Sequence, residues 1–204
     1  MKLRRVTIIV TKIVVGGYEA RSYPHNQVSP SREIPLYRVP VYTIRVRGKD
    51  ASGKDVMRDF MAPRFMPYFN DPKKPDPHYS TLGWANSGLS SARRVIVPEF
   101  IGDYEVQNRY SPGRGAIVVH ETFYIHAGPA DLNDVGFGSA GCIEIIGDFD
   151  VFKKTIADLS GAQTKNSGQA IQHLVAAGLL VVEIQETEAP DIKKLFTRKI
   201  RWAE

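Results

Sequence analysis

Val6 to Val15 is largely apolar and almost wholly β-branched, the pattern of a strand packed on a pleated surface, and Gly16-Gly17 is expected to end it. From Tyr42 to Arg47, apolar Tyr42, Ile44 and Val46 alternate with Thr43, Arg45 and Arg47, which predicts a half-buried strand with one wet face. The polar stretch Gly48 to Asp55 reads as a turn, with Val56 to Met61 as the returning strand of a hairpin. Pro63, Pro67, Pro72, Pro75 and Pro77 crowd the next stretch, where no regular element is expected. Short apolar strands are predicted at Arg94 to Val97, Ala116 to His120 and Tyr124 to His126.

Beyond Cys142 the period changes. Val151, Phe152, Ile156 and Leu159 fall on one helical face behind the candidate caps Asp148 and Asp150, and Gly161 stops the helix. Asn166 or Ser167 can cap a second helix, with Ile171, Leu174 and Val175 facing the core and Gly178 at its end. Leu179 to Ile184 reads as a buried strand, and the basic tail from Pro190 as a solvated helix packing Leu195, Phe196 and Ile200 on the body. The expected class is mostly β (α+β) with one or two short helices after the cysteine. The division read from the chain is a β-rich region over 1–62, either a subdomain or part of the same sheet, and a Pro-rich loop over 63–94. A catalytic domain follows over 95–187, then a basic tail over 188–204.

Composition narrows the class without selecting a partner. With 204 residues, 43% hydrophobic and 24% charged, the chain is an ordinary globular one, not disordered, collagen-like or coiled-coil. No apolar run reaches the length of a membrane-spanning helix. Lys and Arg outnumber Asp and Glu by 27 to 22, a net charge of +5 that favours anionic surroundings. Nucleic-acid binding rests on that charge and the basic tail alone, without aromatic interleaving, and is not expected. A single cysteine excludes an internal disulfide framework. At the N-terminus, Thr7, Thr11 and Lys12 interrupt the apolar run and no small-x-small cleavage site follows, so the segment reads as a strand rather than a signal peptide.

The chemistry concentrates in Tyr124 to Ile146, YIHAGPADLNDVGFGSAGCIEII. Gly136, Gly138 and Gly141 lead up to Cys142, so the backbone before the thiol can turn tightly and admit a ligand. The thiolate is the attacking species, and a free thiol titrates near ~8.5, so a nucleophilic cysteine needs a partner. His126, at the end of a predicted strand, can take that proton if the Gly-rich loop brings the two together. The amides of Gly141 and Cys142 are natural oxyanion donors. His120, six residues before His126, can share its strand face and line the groove, and Tyr124 can form a wall. A zinc site from His126, His120 and Cys142 lacks the close ligand pairing usual for zinc, so no metal or other cofactor is expected.

His126-x-Gly128, a loop, then Ser139-x-Gly141-Cys142-Ile143 resembles the catalytic motif of the YkuD-like L,D-transpeptidases. Asp148 to Val151 leading into a helix is similar to the segment after the motif in many members. The resemblance implies an L,D-transpeptidase-like β-sandwich or barrel and a cysteine enzyme acting on peptidoglycan stem peptides. It implies Cys142 as nucleophile, His126 as base and then acid, Ser139 as hydrogen-bonding support, and Gly141 and Gly128 shaping the oxyanion and backbone region. An amine resolves the acyl-enzyme in a transpeptidase and water resolves it in a carboxypeptidase.

Two positions depart from the family pattern: Ala140 where many members have histidine, and Glu144 where arginine is usual two residues after the cysteine. Glutamate reverses that charge, which Arg109 or Arg114 can offset in space. The family acts in the periplasm or cell wall. The absence of a convincing signal peptide is similar to divergent relatives delivered by type VI secretion, for which a cognate immunity protein or secretion component is the expected partner. Glu144 also keeps open an alternative, a catalytically inactive wall-binding or structural module with the same fold. Sortases share the His-then-Cys order, but at a longer interval and with a downstream arginine.

Overall fold

The β-branched run at the N-terminus forms β1 (Val6–Arg21), which continues through Gly16-Gly17 instead of stopping there. A Cβ at Gly17 would lie 3.2 Å from the Val39 carbonyl oxygen, so this glycine permits the close approach of the neighbouring strand. The irregularity is absorbed as shifts in register between Val10 and Val14 and between Val14 and Gly16. A computed structural model of the chain describes residues 2–21, 33–69, 82–84, 89–105, 113–120, 123–133, 135 and 142–201.

β2 (Glu33–Lys49) and β3 (Asp55–Pro63) pair antiparallel around the predicted polar turn. Tyr42, Ile44 and Val46 are buried as their alternation requires. The Pro-rich stretch is not devoid of regular structure: β4 (Pro67–Phe69) pairs with β5 (Leu82–Trp84). Pro67 is tolerated because it opens its strand, where a missing N–H costs least. Next come β6 (Arg93–Ile96), β7 (Phe100–Ile101), β8 (Ala116–His120), β9 (Phe123–Ala127) and β10 (Ile143–Ile145).

Asp148 caps α1 (Phe149–Ser160) by accepting from the Asp150 and Val151 amides, and Gly161 closes it in the left-handed conformation at φ 70°. The core face of α1 is Phe149, Phe152, Ile156 and Leu159. Val151, expected on that face, is exposed, because a residue adjacent to Phe152 is turned about a quarter of a helical revolution away. Asn166 caps α2 (Ser167–Ala176), which buries Ala170, Ile171 and Leu174. The apolar run after it is β11 (Leu180–Ile184). The tail departs from the helix expected of it. A short 3₁₀ turn, Ile192–Leu195, leads into β12 (Phe196–Arg201), which adds to the open edge of β2. The edge supplies backbone partners that the tail sequence alone does not reveal.

The strands form a six-stranded mixed sheet in the order β12-β2-β1-β11-β6, with β3 also on β2, and a four-stranded sheet in the order β10-β9-β8-β7. The chain is mostly β with two short helices, as its patterning predicts. Parallel pairing of β1 with β11 puts the N-terminal strands and the segment after the cysteine in one sheet. Ile8, Val10, Ile44 and Val182 from the larger sheet meet Ile117, Ile125, Ile143 and Ile145 from the smaller in the main core, with the apolar faces of both helices. The Ile146 amide donates to the Met61 carbonyl at 2.8 Å and ties the two sheets together at the end of β10.

Arg64 is wholly buried and donates to main-chain carbonyls from three separate segments: Leu89, with Nε at 2.7 Å, Thr11 at 3.2 Å, and Gln185. Its ring neighbours are Tyr42 and Phe65. Burial lowers the guanidinium pKa to about 10, and the side chain acts as an internal staple.

Candidate active site

β9 and β10 are parallel neighbours, with Ile143 opposite Ile125, Glu144 opposite His126 and Ile145 opposite Ala127. Parallel neighbours require a crossover of a dozen or more residues, and residues 128–142 supply it here. The interval between His126 and Cys142 is long enough for the crossover that this parallel pairing requires. Side chains alternate across a strand, so register fixes which ones share a face. Ile125, Ala127, Ile143 and Ile145 face the main core. Tyr124, His126, Cys142 and Glu144 therefore belong to the opposite face. Cys142 stands immediately before β10, level with Tyr124, and strand geometry puts its Cα about 8 Å from that of His126.

Gly128 makes this pairing feasible. Its amide donates to the Ile145 carbonyl at 2.8 Å, and a Cβ there would sit 2.8 Å from that oxygen and 2.9 Å from the Glu144 Cβ. The residue is a glycine because β10 passes too close for a side chain.

His126 is 2% exposed, and its Nδ1 lies 2.7 Å from the Ala127 carbonyl oxygen. A carbonyl can only accept, so Nδ1–H is the donor and Nε2 carries the lone pair in the neutral ring. Burial lowers the imidazole pKa to about 4, against a smaller upward pull from the Ala127 bond. Cys142 is 7% exposed. Burial raises its thiol to about 11; a hydrogen bond from the Tyr124 main chain works in the opposite direction, and the Glu144 charge adds to the rise. At neutral pH the resting site is a protonated thiol with a neutral imidazole, not a thiolate–imidazolium pair.

Three further side chains complete the group. Glu144 is 6% exposed, and the Tyr18 hydroxyl donates to its Oε2 at 3.5 Å. Tyr18 is buried on β1, and burial, followed by the charge and hydrogen bond of Glu144, raises its pKa well above the usual phenol value. Tyr104 places its ring 5.5 Å from the ring of Tyr124, edge-on, and 5.5 Å from that of His126. Burial raises the Tyr104 phenol, with smaller upward contributions from Cys142, Tyr124 and Glu144. Neither Tyr18 nor Tyr104 lies in a sequence pattern that marks it, because sheet topology alone brings them here.

Of the other expected residues, His120 lies beyond a register shift in β8, exposed, with its ring stacked on Phe123 at 6.4 Å. Arg114 is exposed and ion-paired with Glu105, and its carbonyl accepts from Lys153 at 2.6 Å. Ser139, Gly141 and Arg109 lie outside the described residues. Among the described residues, no group of three or more His, Cys, Asp or Glu side chains is arranged to hold a metal ion. A cleft of about 930 Å³ between α1 and α2, lined by Lys154, Lys165, Asn166 and Gln172 among others, contains none of the Cys142 group.

No family model, curated protein or solved structure matches the chain. Among the described residues, no helix is long and apolar enough to cross a membrane. The chemistry of the site therefore rests on its own geometry.

Proposed function

We propose that the protein is a cysteine acyltransferase of the L,D-transpeptidase type, acting on peptidoglycan stem peptides through an acyl-enzyme on Cys142. One relationship carries the reading: Cys142, one residue before the parallel β9–β10 ladder, falls by register on the same face as His126, an imidazole with a fixed tautomer. The main-chain carbonyl of Ala127 does the orienting that a carboxylate does in other triads, holding Nδ1–H and keeping Nε2 unprotonated.

In this reading Nε2 takes the thiol proton as sulfur attacks the carbonyl of an L-centre to D-centre bond. The C–S bond forms, the C–N bond breaks, and the imidazolium returns the proton to the departing D-amino acid. The oxyanion is held by the amides of Cys142 and Gly141, with Ser139 as a hydrogen-bonding support, by resemblance to the L,D-transpeptidase motif. The neutral resting pair makes proton transfer part of the attack rather than a step before it. Products are read by mass after incubation with tetrapeptide muropeptides, with Cys142→Ala alongside. Loss or exchange of the terminal D-alanine, or new cross-links, all absent in the mutant, is the expected result. Delivery into a rival's cell wall as an antibacterial effector is the biological setting we propose. Periplasmic targeting should then damage cells, and Cys142→Ala should abolish the damage.

A second reading, an inactive wall-binding module, is favoured by the burial that holds the thiol protonated. It predicts muropeptide binding without any change in product mass.

A further inference from the structure

We propose that Glu144 is the acceptor-site residue, binding a cationic amine and taking its proton, so that the acyl-enzyme is resolved by aminolysis rather than by water. The inference rests on the acyl-enzyme reading above and deepens it. Glu144 follows Cys142 by two residues, so extended backbone puts the residue just before β10 and the one within it on the same face, about 6.6 Å apart. It is the Cα partner of His126. A carboxylate, an imidazole and the acylated sulfur are therefore grouped on one surface, and Tyr18 anchors Oε2 from the β1 side. The carboxylate is a poor neighbour for a thiol awaiting deprotonation, since its charge opposes the thiolate. It is a good neighbour for the second half of the reaction, where the incoming nucleophile arrives as an ammonium and must lose a proton before it can attack.

The step balances. Glu144 accepts one proton from the bound ammonium and becomes a neutral acid. The freed amine attacks the thioester carbonyl, a C–N bond forms, the C–S bond breaks, and the thiolate leaves. The second amine proton passes to Nε2 of His126 and from there to the sulfur, restoring the thiol and the neutral imidazole. Glu144 gives its proton to solvent.

The test uses the whole protein, a tetrapeptide-stem donor, and glycinamide as the cationic acceptor, with hydroxylamine as a nucleophile that is uncharged at neutral pH. The ratio of aminolysis to hydrolysis is measured by mass. That ratio does not depend on how fast the acyl-enzyme forms. Glu144→Gln, which keeps the shape and removes the charge, is expected to lower the glycinamide ratio at least tenfold and the hydroxylamine ratio far less. An unchanged glycinamide ratio, or an equal fall for both nucleophiles, overturns the proposal. Wild-type protein supplies an independent arm, should the variant fail to fold. Unassisted attack needs the free amine and rises about tenfold per pH unit below the amine's own pKa. With Glu144 taking the proton, amide formation from the acyl-enzyme between pH 6 and 7.5 is expected to change less than about threefold, and a tenfold rise per unit overturns the proposal. Absence of any acyl-enzyme defeats the underlying reading as well; an acyl-enzyme with unaltered partition defeats this inference alone.

Discussion

His126 and Glu144 are direct partners across the parallel β9–β10 ladder, so a base and a carboxylate stand side by side on the face that carries Cys142. The consequence is electrostatic. Both the histidine and the cysteine are held in their neutral forms by burial, and the carboxylate pushes the thiol further in the same direction.

Alkylation of Cys142 by iodoacetamide should therefore be slow at pH 7 and rise about tenfold per pH unit up to about pH 10, since the thiolate is the reactive form and the thiol titrates near 11. Glu144→Gln removes a cause of the raised value and should move the profile to lower pH. A rate already flat between pH 6 and 8 would mean a preformed thiolate, which this electrostatic picture excludes.

His126 makes stability depend on pH with a definite sign. Its folded pKa, about 4, lies below the unfolded value near 6.5, so the unfolded chain binds the proton more readily. The stabilisation from a neutral His126 is fully present above pH 6.5 and is lost as pH falls towards 4. Between pH 7 and 5 the loss is about 2 kcal/mol from the two pKa values. Denaturant melts of wild type and His126→Gln over that range should show the slope in the first and a shallower one in the second.

The strands and helix caps that frame the site are legible in the sequence because each follows from local pattern. Alternation marks β2, β-branching marks β1 and β11, and Asp148, Gly161 and Asn166 mark the ends of the helices. The sequence singles out His126 and Cys142 by residue type and spacing, and the strand register puts them on one face. Their surroundings are not legible in this way. Tyr18 and Tyr104 are distant in sequence; the meeting of the two sheets brings Tyr18 to Glu144, and the β7-β8-β9 order brings Tyr104, just after β7, to His126. The tail becomes a strand for a similar reason, since the free edge of β2 exists only in the folded sheet. The patterning likewise gives no hint that β1 runs past Gly16, because the permission comes from the backbone of β2 lying against Gly17.

Gly128→Ala should disturb the site through the backbone, leaving every reactive side chain in place. The added Cβ would meet the Ile145 carbonyl at 2.8 Å and force the β9–β10 ladder apart. A loss of about 2–3 kcal/mol is expected from overpacking and the weakened Gly128–Ile145 bond, read as a shift in the denaturation midpoint. An unshifted midpoint would mean that β10 does not approach this closely.

Arg64→Met tests the internal staple. Methionine fills much of the volume but leaves the carbonyls of Leu89, Thr11 and Gln185 without this donor, at an expected cost of about 3 kcal/mol. Because the hydrogen bonds of Arg64 go to Leu89, Thr11 and Gln185, outside the Cys142 group, the alkylation profile of the folded fraction should keep its shape. A stability loss below about 1 kcal/mol would mean that the guanidinium is not holding these segments.

The decisive measurement is the intact mass of the protein quenched within its first turnovers on a tetrapeptide-stem donor. The expected result is an adduct equal to the donor lacking its terminal D-amino acid, localised by proteolysis to the peptide containing Cys142 and absent from Cys142→Ala. An unmodified wild-type mass with no D-alanine released, or an adduct that persists in Cys142→Ala, would contradict an acyl-enzyme on Cys142.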